Sequence, residues 1–90
     1  MATTVGWNLQ MNVREGQLDA LRSLMQEMVA STRSEPGVVM YDWYVSADGA
    51  ACHIHERYRD DEAALAHIAT FGSTFAERFF GCLEPTAVFV

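Results

Sequence analysis

Val38-Val39-Met40-Tyr41-Asp42-Trp43-Tyr44-Val45 and Ala51-Cys52-His53-Ile54-His55-Glu56-Arg57-Tyr58, joined by Ser46-Ala47-Asp48-Gly49-Ala50, decide the fold. Both runs are rich in β-branched and aromatic residues, and Asp-Gly between them is a strong hairpin signal. A two-residue turn at Asp48-Gly49 sets Val45 opposite Cys52, Trp43 opposite Ile54, Tyr41 opposite Glu56 and Val39 opposite Tyr58. These residues share one side, which is apolar and aromatic except for one carboxylate and two phenols. Tyr44 with His53, Asp42 with His55 and Met40 with Arg57 take the other side. An odd loop would scramble this segregation, so the even register is the one the pattern selects.

Upstream of the hairpin, Val5, Trp7, Leu9, Met11 and Val13 alternate with Gly6, Asn8, Gln10 and Asn12, the period of a strand with one apolar face. Glu15-Gly16 ends it. From Gln17 the period changes. Leu18, Leu21, Leu24, Met25, Met28 and Val29 recur at three- and four-residue steps, one stripe of a helix with Asp19 near its start and Arg33 near its end. Pro36-Gly37 closes that unit. Downstream, Asp60-Asp61-Glu62 opens a second helix with an N-cap and acid in its first turn. Gly72 is expected to break this helix. Thr74 and Glu77 have capping-box spacing for a short further helix through Phe80, stopped by Gly81. Pro85 to Val90 reads as a last strand.

The order is β-α-β-β-α-β, with the second helix broken: an α+β, ferredoxin-like arrangement of a four-stranded antiparallel sheet with helices on one face. The near-continuous apolarity of Val38–Val45 and Ala87–Val90 asks for cover on the bare face too. Packing against the sheet of a second copy, in a homodimer, is the simplest way to provide it.

Ninety residues make one domain, residues 1–90, and half of them are hydrophobic, enough for a core. The formal charge is −6, with six scattered arginines and no lysine. Such a chain cannot build a basic stripe, so nucleic acid and anionic membrane surfaces are unfavourable partners. Met1-Ala2-Thr3-Thr4 lacks a basic segment followed by an apolar run, and no stretch reaches the ~18 apolar residues of a transmembrane helix. Cys52 and Cys82 make no disulfide framework; two buried thiols in a reducing cytoplasm are expected.

Glu56 is the residue that carries chemistry. A carboxylate on a core-facing surface must be paired or hydrogen-bonded, or its pKa must rise. Its partner can be Tyr41, Trp43, a backbone amide, His67 or an arginine, as a purely structural bond. Alternatively, Glu56 stands on the wall of a ligand cavity. His67, beside Leu65 and Ile68 on the second helix, is either a boundary histidine or part of the same lining. Phe71, Phe75, Phe79 and Phe80 read as core and lid packing, Phe71 and Phe75 being placed to touch a ligand. His53 and His55 share a strand face, where Asp42 is the one candidate third metal ligand. They are assigned instead to a polar interface with an Asp42–His55 pair.

Glu56-Arg57-Tyr58-Arg59-Asp60-Asp61-Glu62-Ala63-Ala64-Leu65-Ala66-His67, together with Glu35-Pro36-Gly37 before an aromatic strand, resembles the antibiotic biosynthesis monooxygenase (ABM) family. Members carry a Glu-x-Trp-x-Asp segment with a histidine nine residues after the aromatic. Here Tyr58 replaces the tryptophan and His67 keeps the spacing. The resemblance implies a dimeric α+β barrel that oxidises phenolic or quinol-type substrates with molecular oxygen, without metal or flavin. It implies Glu56, Tyr58 and His67 as the catalytic groups and Tyr41 and Trp43 as aromatic walls. It also implies Asn8 as an amide donor to the substrate, whereas alternation puts Asn8 opposite the apolar face. A haem-degrading branch of the superfamily uses a later histidine, which this chain lacks.

Two other readings stand beside the enzyme: a non-catalytic small-ligand-binding or stress-associated homodimer, and a dimerisation module with a filled core. A void of some hundreds of Å3 between helices and sheet separates the first two from the third, in which Phe71 and Phe75 would fill the space.

Overall fold

The computed structural model describes residues 4–90. The reading of Met1-Ala2-Thr3 as the head of a chain without a leader lies outside them. Strand β1 (Val5–Val13) is followed by helix α1 (Leu18–Arg33), strands β2 (Val38–Val45) and β3 (Ala51–Tyr58), helix α2 (Asp61–Thr70), a π-helical turn (Phe71–Phe75), helix α3 (Ala76–Cys82) and strand β4 (Leu83–Phe89). The sheet order is β2-β3-β1-β4 and every pairing is antiparallel. This is the ferredoxin-like arrangement that the element order announced. Among the described residues no helix is long and apolar enough to cross a membrane.

The hairpin register forms as the alternation requires, with Val45 opposite Cys52, Trp43 opposite Ile54 and Tyr41 opposite Glu56. The turn is longer than expected. Ala51 N–H and Ser46 N–H meet the opposite strand end at Ser46 Oγ and Ala51 O, and Gly49 N–H closes back onto Ser46 O. Because four residues, not two, are enclosed, the count stays even and the faces are preserved.

The expectation for Val39 is corrected at the far end. A β-bulge between Val38 and Met40 puts Val38 opposite Tyr58 and turns Val39 out to solvent, 58% exposed. The bulge adjoins Gly37, whose carbonyl accepts the Arg59 N–H at 2.7 Å.

Helix α1 buries Leu21, Leu24, Met28 and Thr32, a stripe at three- and four-residue steps, while Met25 and Val29 lie at its edge. Asp60 caps α2 through its side chain, which accepts the Ala63 N–H at 2.9 Å.

The second half departs from expectation. Gly72 does not end the helix: the chain continues through one π-turn directly into α3, which runs through Gly81 to Cys82. Thr74 makes no capping bond, because no free helix start exists there. Strand β4 begins at Leu83, ahead of Pro85. An edge position tolerates the missing N–H of proline, and the register slips there, with Thr86 Oγ1 donating to Gln10 O at 3.0 Å.

The core lies between the sheet and the helices. Met11, Leu21, Leu24, Ile54, Phe79 and Leu83 form one cluster, and Tyr58 with Ala63 and Ala64 a second beside it. Cys52 and Cys82 are both free and buried. The outer sheet face carries Asn8, Gln10, Asp42, Tyr44, His53, His55 and Phe89. Asp42 is opposite His55 in register, but His55 packs its ring against Tyr44 at 5.1 Å and no ion pair with Asp42 forms among the described residues.

Candidate active site

A cavity of about 400 Å3 opens between the sheet and the α2–α3 segment. Its floor is Trp7, Leu9, Met11 and Ile54, its roof Ile68, Phe71, Phe79 and Phe80, and its open side Pro85, Val88 and Val90. Glu56 and His67 are its only ionisable wall residues among the described residues. The cavity persists because Phe75 packs into the core and Phe71 stands at the wall. The filled-core reading is therefore overturned.

The two polar residues come from different elements and meet for local reasons. Glu56 faces inward by strand alternation, two residues before Tyr58. His67 is one turn beyond Ala63 on α2, on the buried side of that helix. The approach of α2 to the α1–β2 connection depends on Gly37. Its φ is +88°, and a Cβ there would sit 2.7 Å from the Ala63 Cβ. That close approach brings Glu35, two residues earlier, against His67.

The result is a chain of four side chains. Tyr58 donates its hydroxyl to Glu56 Oε1 at 2.8 Å. The same oxygen lies 3.2 Å from His67 Nε2. His67 Nδ1 contacts both Glu35 oxygens, at 3.1 and 3.3 Å. Tyr58 and His67 stack with ring centroids 5.0 Å apart, and Tyr41 meets the imidazole edge-on at 5.4 Å. Glu56 and His67 are almost fully buried, and Tyr58 completely so.

The electrostatics follow from that geometry. Burial disfavours the imidazolium, but contact with Glu56 and the charges of Glu56 and Glu35 outweigh it and hold His67 above its ordinary pKa. Burial, reinforced by the Glu56 carboxylate, pushes the Tyr58 phenol far above the usual range. Tyr41 rises to about 12, mainly by burial.

Of the residues singled out in the sequence, Glu56, His67 and Phe71 line the cavity. Tyr58 stands behind Glu56, donating to it, and is not among the residues that line the cavity. Tyr41 and Trp43 border a different, more open hollow against Met25 and Val29 of α1, and Trp43 Nε1 is buried without a hydrogen bond. Phe75 belongs to the core. Asn8 pairs with His55 and Phe89 on the outer face, away from the cavity, because its side chain alternates with Trp7 and Leu9. Among the described residues no group of three or more His, Cys, Asp or Glu is placed to hold a metal ion.

Glu35 is the member that sequence reading missed. In the sequence Glu35 figures only within Glu35-Pro36-Gly37, the run ahead of the aromatic strand that carries part of the family resemblance. The available signal was a carboxylate fixed immediately ahead of a rigid turn.

Comparison with known proteins agrees with this architecture. Residues 4–70 match the antibiotic biosynthesis monooxygenase family. Rv0793 of Mycobacterium tuberculosis is 46% identical over 48 residues, 53% of this chain and about half (48%) of that protein's length. Its solved structure superposes with a TM-score of 0.69 at 29% identity, over 98% of this chain and 94% of that one. MupZ from Pseudomonas fluorescens gives a TM-score of 0.84 at 22% identity, over 98% of this chain and 66% of its own. SnoaB, a cofactor-independent oxygenase from Streptomyces nogalater, gives 0.81 at 17% identity, over 99% and 93%, a likeness of fold. With its family match covering most of the chain, and its sheet, helices and relatives all of one kind, this protein belongs to the antibiotic biosynthesis monooxygenase family.

Proposed function

We propose that the chain, residues 1–90 as one domain, works as a cytoplasmic homodimer that oxidises a small phenolic or quinol-type substrate with molecular oxygen. The observation that carries this reading is the joint opening of Glu56 and His67 onto one otherwise apolar cavity of about 400 Å3. Such a cavity holds a planar aromatic molecule by burial and orients it by one hydrogen bond at its polar end.

The chemistry asked of the protein is modest. One oxygen atom enters the substrate, the other leaves as water, and the substrate supplies the electrons. Glu56 Oε1 is already engaged by Tyr58 and His67. Its Oε2 is the atom left to take the phenolic proton, which makes the substrate anion a good reductant of oxygen. The neighbouring His67 orients the carboxylate through its 3.2 Å contact, and the apolar walls exclude water from the reactive anion. Pairing of the outer sheet face with a second copy supports the homodimer, since Tyr44 and Phe89 are both about half exposed there.

Oxygen uptake with a panel of hydroquinones and fused-ring phenols tests the proposal. Glu56→Gln should lower turnover by about 10²- to 10⁴-fold, the usual contribution of a positioned base. Full turnover in both Glu56→Gln and His67→Ala would discard these roles. Saturable binding of the same phenols with no oxygen uptake would favour the carrier reading.

A further inference from the structure

The geometry points to Glu35 as a positioning residue, one that fixes His67 as a doubly protonated imidazolium and so reserves the role of base for Glu56. This inference rests on the active-site reading above and adds a residue from a separate element, the α1–β2 connection.

The argument begins with hydrogen-bond chemistry. An ionised carboxylate only accepts, and an imidazole nitrogen without a proton also only accepts. His67 has a carboxylate at each nitrogen: Glu35 at Nδ1, 3.1 and 3.3 Å, and Glu56 at Nε2, 3.2 Å. A neutral ring would set a lone pair against one of these carboxylates in a site only 6% exposed for the histidine. Protons on both nitrogens remove that repulsion. The groups facing His67 are Glu35 from the connection, Glu56 and Tyr58 from β3, and Tyr41 from β2. The two phenols stay neutral because burial raises both of them. The remaining charges are therefore minus, plus, minus.

With both N–H groups committed, His67 has no lone pair to offer a substrate and cannot act as base. Its part is to orient Glu56. Glu35 in turn holds the ring, and Gly37 places Glu35. Without the Glu35 charge, only Glu56 would favour the imidazolium against burial.

The test is the titration of His67, followed by the nitrogen resonances of its ring in the full chain and in Glu35→Gln. The native protein should show both nitrogens protonated at neutral pH, with a midpoint above that of a free imidazole. Glu35→Gln should move the midpoint down by at least one pH unit, and Glu35→Asp should restore most of it. In turnover, Glu35→Gln should lower kcat about tenfold or more with little change in KM, and the pH at which activity falls on the alkaline side should move down with the midpoint. If no phenol is turned over by the native protein, the proposed function fails, yet the titration still decides the role of Glu35. A native ring with one unprotonated nitrogen at neutral pH, or a midpoint unmoved in Glu35→Gln, would overturn the assignment. Should Glu35→Gln fail to fold, the native nitrogen spectrum and Glu35→Asp decide it alone.

Discussion

Removing one oxygen atom from Tyr58 isolates the bond that supports the candidate base. Tyr58→Phe keeps a ring of the same shape, so the stacking on His67 at 5.0 Å and on Trp7 at 5.3 Å is retained. What is lost is the hydroxyl donated to Glu56 Oε1 at 2.8 Å, in a place where Tyr58 is 0% exposed and Glu56 4%. No water replaces that donor without a cavity made for it. A hydrogen bond to a charged group contributes about 1.5–3 kcal/mol. For a chain of this length total stability is about 4–14 kcal/mol, so the loss is a substantial share of it. At about 4–8 °C per kcal/mol the melting temperature should fall by roughly 6–24 °C. Urea denaturation at neutral pH measures the loss, with an unchanged slope showing that the same surface unfolds. A variant within about 0.5 kcal/mol of the parent would refute the reasoning, since a buried charge-assisted bond cannot be lost so cheaply.

Three further outcomes follow from the same structure. Gly37→Ala combines a left-handed backbone at φ +88° with a Cβ pushed to 2.7 Å from Ala63, so it should cost at least about 2 kcal/mol and shift the His67 titration as Glu35→Gln does; thermal melts and the ring spectrum check both. Leu21→Ala, at a fully buried position away from the cavity, should lower stability by about 3–5 kcal/mol while leaving the KM of the folded fraction unchanged, read by denaturation and kinetics together. Alkaline conditions should unfold the chain early: the Cys52 thiol is raised by burial from 9.0 to about 11 and Tyr41 from 10.0 to about 12, so the unfolded state sheds these protons first. The stability they supply is complete below pH 9 and falls as pH climbs through 9–12, by about 2 kcal/mol for Cys52 alone at pH 11, which melts recorded across that range would show and Cys52→Ala would lessen.

Legibility in the sequence tracked how local the governing physics was. The hairpin register could be read because Tyr41, Trp43 and Val45 differ sharply in polarity from Asp42 and Tyr44, so one slip would invert both faces. The Asp60 cap was readable because it concerns residues three apart. The bulge that expelled Val39 was not, since it hangs on a bond between Gly37 and Arg59 across two elements. The glycines at 72 and 81 misled for a similar reason. Propensity favours a break at each, but burial of Phe75, Phe79 and Cys82 carries the helix through. In the site, Glu56 and His67 announced themselves as polar groups on apolar faces. Glu35 could not, because its partner is 32 residues away and the close approach that joins them is made by a glycine that carries no chemical label. Asn8 shows the converse: the period-two pattern put it on the outer face, and there it lies, although the family likeness suggested a substrate contact.

The π-turn at Phe71–Phe75 acts as a phase setter for everything after it. A turn of this kind holds one residue more than an α-turn, and each helical residue advances the side chains by ~100°. The wide turn absorbs that extra residue, so deleting one residue near Gly72, where an added Cβ would meet nothing, should leave a regular helix with Phe79 and Cys82 still facing inward, whereas adding one should swing both out of the interior together. The shape of the hollow is thus tied to the length of this one segment. A two-residue insertion in the exposed hairpin loop would leave it alone, whereas a one-residue insertion here would redraw its ceiling.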